Sequence, residues 1–382
     1  MIIMTKKYDI LIVGAGLYGA TCARLLTEKG YKCLIIEKNN YVGGMCATHT
    51  KHDIDIHMNG PHIFHTTDEE VWNFVTKYSK FNNYKHAETI ISNGRIWTLP
   101  IDIKAYNMMF GSVNAITAYT EISKEVKNYN VKKSSSFEDT LILQYGISLY
   151  TEIFKPYYEK KYGKSCGELA PLMPDIQPSY FKLTGQMYDT LMQGIPENGY
   201  TKLVENIIGN DIPIILNKDF TSNIDKFYNL AEVIIYTGPV DRLCKYVYGP
   251  LKWISLDIQT IDESMRGSHI YGNAVTKVAD KQNDIIRITE HKWFTPERNS
   301  TEWKNHNIVS YEYKKEYKVD EDPFYSLNDT ESMELYRKYI EFIESKWPNI
   351  VVGGTKGLYM NMNMNDVIKA AIELCKNAMP NK

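Results

Sequence analysis

The sequence predicts an α/β protein built on a Rossmann-like dinucleotide-binding unit, and three features near its start carry that prediction. Residues 9–13 (DILIV) form a short apolar run of the kind buried on both faces of a parallel sheet. Gly14-Ala15-Gly16-Leu17-Tyr18-Gly19 follows at once and leads into a helical pattern from Ala20 to about Lys29. Gly30 stops that helix, and residues 32–37 (KCLIIE) read as a second buried strand that ends on an acid.

The glycines divide the work of such a unit. Gly14 permits the tight turn, Gly16 lets the backbone approach a pyrophosphate, and Gly19 lets helix and strand pack closely. The N-terminus of the helix that follows offers free N–H groups and a partial positive charge to phosphates. Glu37, with Lys38 beside it, stands where a ribose-binding acid is needed. A second pair, Gly43-Gly44, comes shortly after the acid. A chain that returns to the phosphates there is similar to glutathione-reductase-like flavoenzymes rather than to NAD dehydrogenases. That resemblance implies FAD.

Length and composition bound the rest. A chain of 382 residues is long enough for two or three domains and a large core. Its 44 basic and 46 acidic residues nearly cancel, which argues against a general nucleic-acid or membrane-surface partner. Six cysteines lie scattered without C-x-x-C spacing and read as reduced thiols, not as a disulfide frame or zinc site. No apolar run approaches membrane-spanning length and the N-terminus has no signal-peptide core, so a soluble cytoplasmic protein is expected. The 29 tyrosines suit a pocket for a sugar or a nucleobase.

Further along, residues 47–59 read as a polar stretch leading into Gly60-Pro61-His62-Ile63-Phe64-His65-Thr66. No third ligand accompanies the two histidines at a metal-site spacing, so they are read as hydrogen-bonded pocket residues and no metal is expected. A helix over 68–77 and a hairpin over 89–101, turning at Ser92-Asn93-Gly94, come next. From 103 to 165 the pattern is helical, interrupted by a polar linker at 131–136. Ser136 to Asp139 is a near-miss to a capping box. Pro171, Pro174 and Pro178 make 168–193 a partly irregular, mobile segment. A helix opens at Gly199-Tyr200. Strands are predicted at 214–216, 233–236, 253–258, 274–278, 285–289, 308–313 and 350–353, and helices at 331–347 and 366–377.

Taken in order, several pieces resemble the UDP-galactopyranose mutase family. They are the Gly60–Thr66 run, Ser92-Asn93-Gly94 with Leu99-Pro100, and Phe154-Lys155 with Tyr157 and Gly163. Gln193-Gly194-Ile195-Pro196 with Gly199-Tyr200-Thr201, then Gly238-Pro239-Val240-Asp241, continue the series. Arg287-Ile288-Thr289-Glu290-His291-Lys292 is the most specific piece, and the matches cover nearly the whole chain. The resemblance implies a discontinuous FAD domain (1–80, 205–245 and 348–382), a helical domain with a mobile lid (104–204), and an antiparallel-sheet substrate domain (81–103 and 246–347).

It also implies an enzyme in which reduced FAD attacks the anomeric carbon of a nucleotide sugar through flavin N5, with UDP-galactose as default substrate. An external reductant (NAD(P)H or a reductase) and a homodimer are implied with it. No protein nucleophile is then required, in keeping with the lack of an acid–base dyad in the sequence. Carried over by position, His62 and Ile63 would lie against the flavin, and His62 and Arg287 would serve catalysis. Gly14, Gly16, Leu17, Tyr18, Glu37, Lys38, Gly43, Gly44, Gly353 and Tyr359 would hold the cofactor. Phe154, Tyr157, Tyr162, Tyr188, Arg287, Tyr313 and Tyr359 would meet the substrate, with Tyr157 on the base, Arg287 and Tyr313 on the phosphates.

The sequence also departs from the family. No arginine occurs between Arg95 and Arg242, so the lid arginine on the diphosphate is missing, and Lys182 is the basic residue nearest its place. The lid tryptophan is Tyr162. The Gly-Arg that meets the FAD pyrophosphate is Gly353-Gly354, and a Met-Asn repeat follows Tyr359. These changes fall on phosphate, nucleotide and sugar contacts. They leave open a mutase of another sugar or nucleotide, and beside it a flavin oxidase or a non-catalytic nucleotide-sugar binder.

Overall fold

A computed structural model of the chain describes residues 7–129, 134–169, 171, 185–267, 269–319 and 321–377. Two sheets organise them. The first is five-stranded and wholly parallel, in the order Ile350–Val352, Ala231–Tyr236, Tyr8–Val13, Cys33–Ile36, Ile214–Ile215. Its central strand carries Leu11 and Ile12 at zero exposure, as a continuous apolar run in a covered sheet must. Helix Leu17–Glu28 covers one face and packs through Ala20, Ala23 and Leu26 against Ile368, Ala371 and Ile372 of helix Met364–Asn377. The alanines let the two helices approach closely. Each strand of this sheet was expected, to within a few residues.

The second sheet has seven strands in the order Tyr325–Ser326, Trp253–Asp262, Ile308–Lys315, Ile285–Glu290, Val275–Val278, Glu88–Ser92, Arg95–Leu99. It is antiparallel except where Val275–Val278 runs parallel to Glu88–Ser92. The hairpin turn falls on Asn93 and Gly94, both with positive φ (51° and 69°), the geometry that tight two-residue hairpins require.

Helices Ile103–Phe110, Ala115–Tyr129, Phe137–Leu149 and Lys155–Tyr162 pack around Tyr106, Phe137, Tyr145 and Phe154. The capping box at Ser136 is complete rather than missed. Ser136 Oγ accepts the Asp139 N–H at 3.1 Å, and the Asp139 carboxylate accepts the Ser136 N–H at 3.2 Å, so the shorter acid reaches.

Residues 47–59, read from the sequence only as a polar stretch, have regular structure. They form a hairpin, Thr48–Lys51 with Ile54–His57, turning on His52 and Asp53 in left-handed conformations. Its buried Ile54 and Ile56 pack with Ile308. Residue 130 and residues 131–133 of the expected linker, and 170 and 172–184 of the irregular segment with Lys182, lie outside the described residues. No helix among the described residues is long and apolar enough to cross a membrane.

Candidate active site

A cleft of about 440 Å³ takes its wall from both sheets. At one end stand Gly14, Gly16, Leu17 and Tyr18, then Glu37, Lys38, Gly43 and Gly44. Gly14 has a φ of +105°, and a Cβ there would lie 2.1 Å from Thr237 Oγ1. The second glycine pair folds back onto the first loop: Gly16 bridges to Gly43, and the Gly43 N–H donates to the Ala15 carbonyl at 2.9 Å. Glu37 is buried, and its carboxylate accepts the N–H groups of Ala15 and Asn39 at 2.8 and 2.9 Å. No side chain caps the helix that starts at Leu17, so its first-turn N–H groups remain for a ligand.

Beyond this loop, Lys38, Arg242 and Lys356 gather around Asp322. Lys38 bonds the Asp322 carboxylate, and Arg242 lies 3.9 Å from it and 3.8 Å from Asp219. Burial would raise the Asp322 carboxyl, but Lys356, Lys38 and Arg242 together hold it below its ordinary value. Burial pushes Lys356 down to about 8. The sequence reading gave Arg242 and Lys356 no role, because only folding brings them beside Glu37.

At the other end His62, Ile63, Tyr188 and Arg287 line the cleft. The His62 N–H donates to His57 Nδ1 at 3.0 Å, and His62 Nδ1 lies 2.8 Å from the Gly60 carbonyl. Burial pushes His62 down to about 4, so the ring is neutral, Nδ1–H donates to that carbonyl, and Nε2 is the acceptor. Arg287 spends its fork within the protein: Nε and Nη2 each donate to Glu312 at 2.8 Å. Gly60, with a φ of +90°, makes room for this pair, since a Cβ there would lie 2.7 Å from Arg287 Nη2. Tyr188 stacks on His65, ring centroids 3.5 Å apart. His86, Glu88 and Lys277 also reach the wall, though no local motif marks them.

Six expected site residues are not on that wall. Tyr359 is fully buried with a φ of +52°, edge-on to Trp253, and its hydroxyl donates to the Lys252 carbonyl. Met362, Asn363 and Met364 line the cleft instead. Gly353 sits behind Tyr18, 2.4 Å of Cβ space from its ring, and it is Gly354, Thr355 and Lys356 that face the cavity. Phe154 and Tyr157 are core residues at 0% and 1% exposure. Tyr162 packs on Tyr158, and Tyr313 pairs with Asp257 and Ile285 on the second sheet.

Among the described residues one cluster, His52, Glu302 and His306, has three groups of the metal-ligating kind. Its two imidazoles stack in parallel, 3.6 Å apart at 4°, so their lone pairs run side by side instead of converging on an ion.

Comparison with known proteins identifies the family. The family model for UDP-galactopyranose mutase matches residues 152–360, and that for an NAD(P)-binding Rossmann-like domain matches residues 12–78. The chain is 30% identical to a probable UDP-galactopyranose mutase of Klebsiella pneumoniae over 370 residues, covering 96% of this chain and 93% of that protein. It is 28% identical to a dTDP-fucopyranose mutase of Escherichia coli, covering 95% and 96%. A reduced UDP-galactopyranose mutase of known structure shares the fold, with a TM-score of 0.68 at 14% identity over 98% of this chain and 96% of that one. The glycine loops, the buried Glu37 and the uncapped helix start fit FAD. The chain therefore belongs to the UDP-galactopyranose mutase family, as an FAD-binding isomerase of the intramolecular transferase class.

Proposed function

We propose that the protein interconverts the pyranose and furanose forms of a nucleoside-diphosphate sugar, with UDP-galactopyranose as the first substrate to test. The observation that carries this reading is the convergence of the glycine loops, neutral His62 and Arg287 on one cleft. Bound FAD, when reduced, supplies a nucleophilic ring nitrogen for the anomeric carbon. The protein's share is to bind and orient. The Leu17 helix start receives the cofactor's pyrophosphate, Glu37 its ribose, and Lys356 supplies the cation that the absent arginine would have given. His62 Nε2 offers an acceptor beside the flavin, and Arg287 Nη1 remains to hold the departing diphosphate.

Turnover is expected only when dithionite or a nicotinamide donor has reduced the flavin. Equal turnover with oxidised flavin under anaerobic conditions would reject this mechanism, and net oxygen consumption would favour an oxidase. The Escherichia coli relative supports a second substrate reading, a dTDP-linked 6-deoxysugar. Parallel assays with UDP-galactopyranose and dTDP-fucopyranose separate the two.

Lys356 gives a pH signature. In the free protein its ammonium is lost near pH 8, whereas a bound pyrophosphate holds the proton to higher pH. FAD affinity should then be flat below about pH 8 and fall above it, towards the ordinary lysine value of about 10.4. Titration of apoprotein with FAD across this range checks the slope, which Lys356→Met should abolish.

A further inference from the structure

Four charged side chains form a row across neighbouring strands of the second sheet. Glu312 stands opposite Arg287, and Arg287 stands directly opposite Lys277. Lys277 in turn pairs with Glu88, Nζ to Oε2 at 2.7 Å. The signs therefore run minus, plus, plus, minus, with the two cations adjacent in the middle. Like charges directly opposite on a sheet repel, and Lys277 is only 2% exposed, so little water screens it. Both cations line the cleft. Each outer carboxylate keeps its cation charged and aimed. Burial would raise Glu88, yet Lys277 and His86 hold it at about 2, so the pair is ionic. Lys277 Nζ also lies 5.7 Å from the Tyr157 ring, which supports it from behind.

An adjacent buried cation pair open to a cavity is the complement of a dianion whose charges sit on neighbouring groups. A diphosphate diester is such a dianion. Arg287 gives two of its five N–H groups to Glu312, and its single positive charge, already shared with that carboxylate, cannot by itself balance the two charges of a diphosphate. We propose that Lys277 is the second diphosphate-binding cation of this site, supplied by the rigid sheet where relatives of the resembled family use a lid arginine. The inference rests on the nucleotide-sugar reading above.

The test uses FAD-loaded protein titrated with UDP, dTDP and uridine, followed by flavin fluorescence. The double variant Glu88→Gln/Lys277→Met removes both charges of the pair together and leaves no buried charge alone. It should weaken UDP or dTDP binding about tenfold or more while uridine binding and flavin content stay as in the parent. The single Glu88→Gln removes the carboxylate that keeps the ammonium charged and aimed, so it should weaken diphosphate binding without touching uridine binding; it serves alone if the double variant fails to fold. Unchanged diphosphate affinity in both variants overturns the assignment of Lys277 but leaves the nucleotide-sugar reading standing. An equal loss for uridine and UDP also overturns it, since the effect would not lie at the phosphates. Failure of the parent to bind any nucleoside diphosphate overturns both.

Discussion

Arg287→Ala should lose ligand affinity and stability together. Nucleoside-diphosphate binding should weaken tenfold or more, since a hydrogen bond to a charged group is worth about 1.5–3 kcal/mol. The same change strands Glu312, 1% exposed, without its partner. Breaking a buried pair on one side costs about 3–5 kcal/mol, so the melting temperature should fall as well. Arg287→Lys keeps the charge but cannot reproduce two parallel bonds to Glu312, and it should sit between parent and alanine. The paired change Arg287→Met with Glu312→Gln should recover much of the stability and none of the binding. Calorimetry and a UDP titration by flavin fluorescence read the two effects separately. If Arg287→Ala binds UDP and dTDP as tightly as the parent, Arg287 is not the diphosphate clamp.

Two alanine substitutions a few residues apart should fail in different ways. At Gly19 an added Cβ would lie 2.0 Å from the Gly14 carbonyl oxygen and 3.0 Å from Ile12 Cγ2. Neither can retreat easily, because the Gly14 N–H is bonded to the Ile36 carbonyl at 2.8 Å inside the sheet. Gly19→Ala should therefore pry helix from strand, costing about 1–3 kcal/mol as an overpacked core does, and FAD with it. At Gly16 the backbone is ordinary (φ −80°) and the nearest protein atom to an added Cβ is 3.8 Å away. What the methyl meets there is the cleft. Gly16→Ala should leave the melting temperature of the apoprotein near that of the parent while flavin content falls at least tenfold. Flavin-to-protein absorbance and apoprotein melting measure both. An apoprotein of Gly16→Ala as unstable as that of Gly19→Ala would refute the distinction.

The parts of this molecule that could be read in advance are those whose cause is local. An apolar run, a glycine turn and an acid at a strand end specify the cofactor loop within about 30 residues, the size of one strand–helix–strand unit. The Asn93-Gly94 turn is equally self-contained. Residues 47–59 read only as polar because a hairpin buried by its two isoleucines carries too little apolar signal among polar neighbours. The aromatic residues were hard to place for the opposite reason. Tyr157, Tyr359 and Phe154 are large apolar bodies that satisfy a core as readily as a pocket, and only packing decides between them. Lys277 and Lys356 were silent because their meaning is relational: one depends on which residue stands across a strand, the other on what a four-residue helix, Gly354–Gly357, brings beside Glu37.

The parallel sheet has a consequence for how the protein is made. Its central strand leaves the ribosome more than 200 residues before its neighbour Ala231–Tyr236, and Ile350–Val352 follows later still. Until then Tyr8–Val13 is a hydrophobic strand with an open edge, the kind of segment that nascent chains most readily misjoin. Closing such long loops is entropically costly and slow, so assembly of this sheet sets the pace of folding. Cofactor loading therefore waits for Ile350–Val352 and for Gly354, Thr355 and Lys356 behind it, and conditions that slow aggregation should raise the yield of flavin-loaded protein more than an excess of FAD during synthesis.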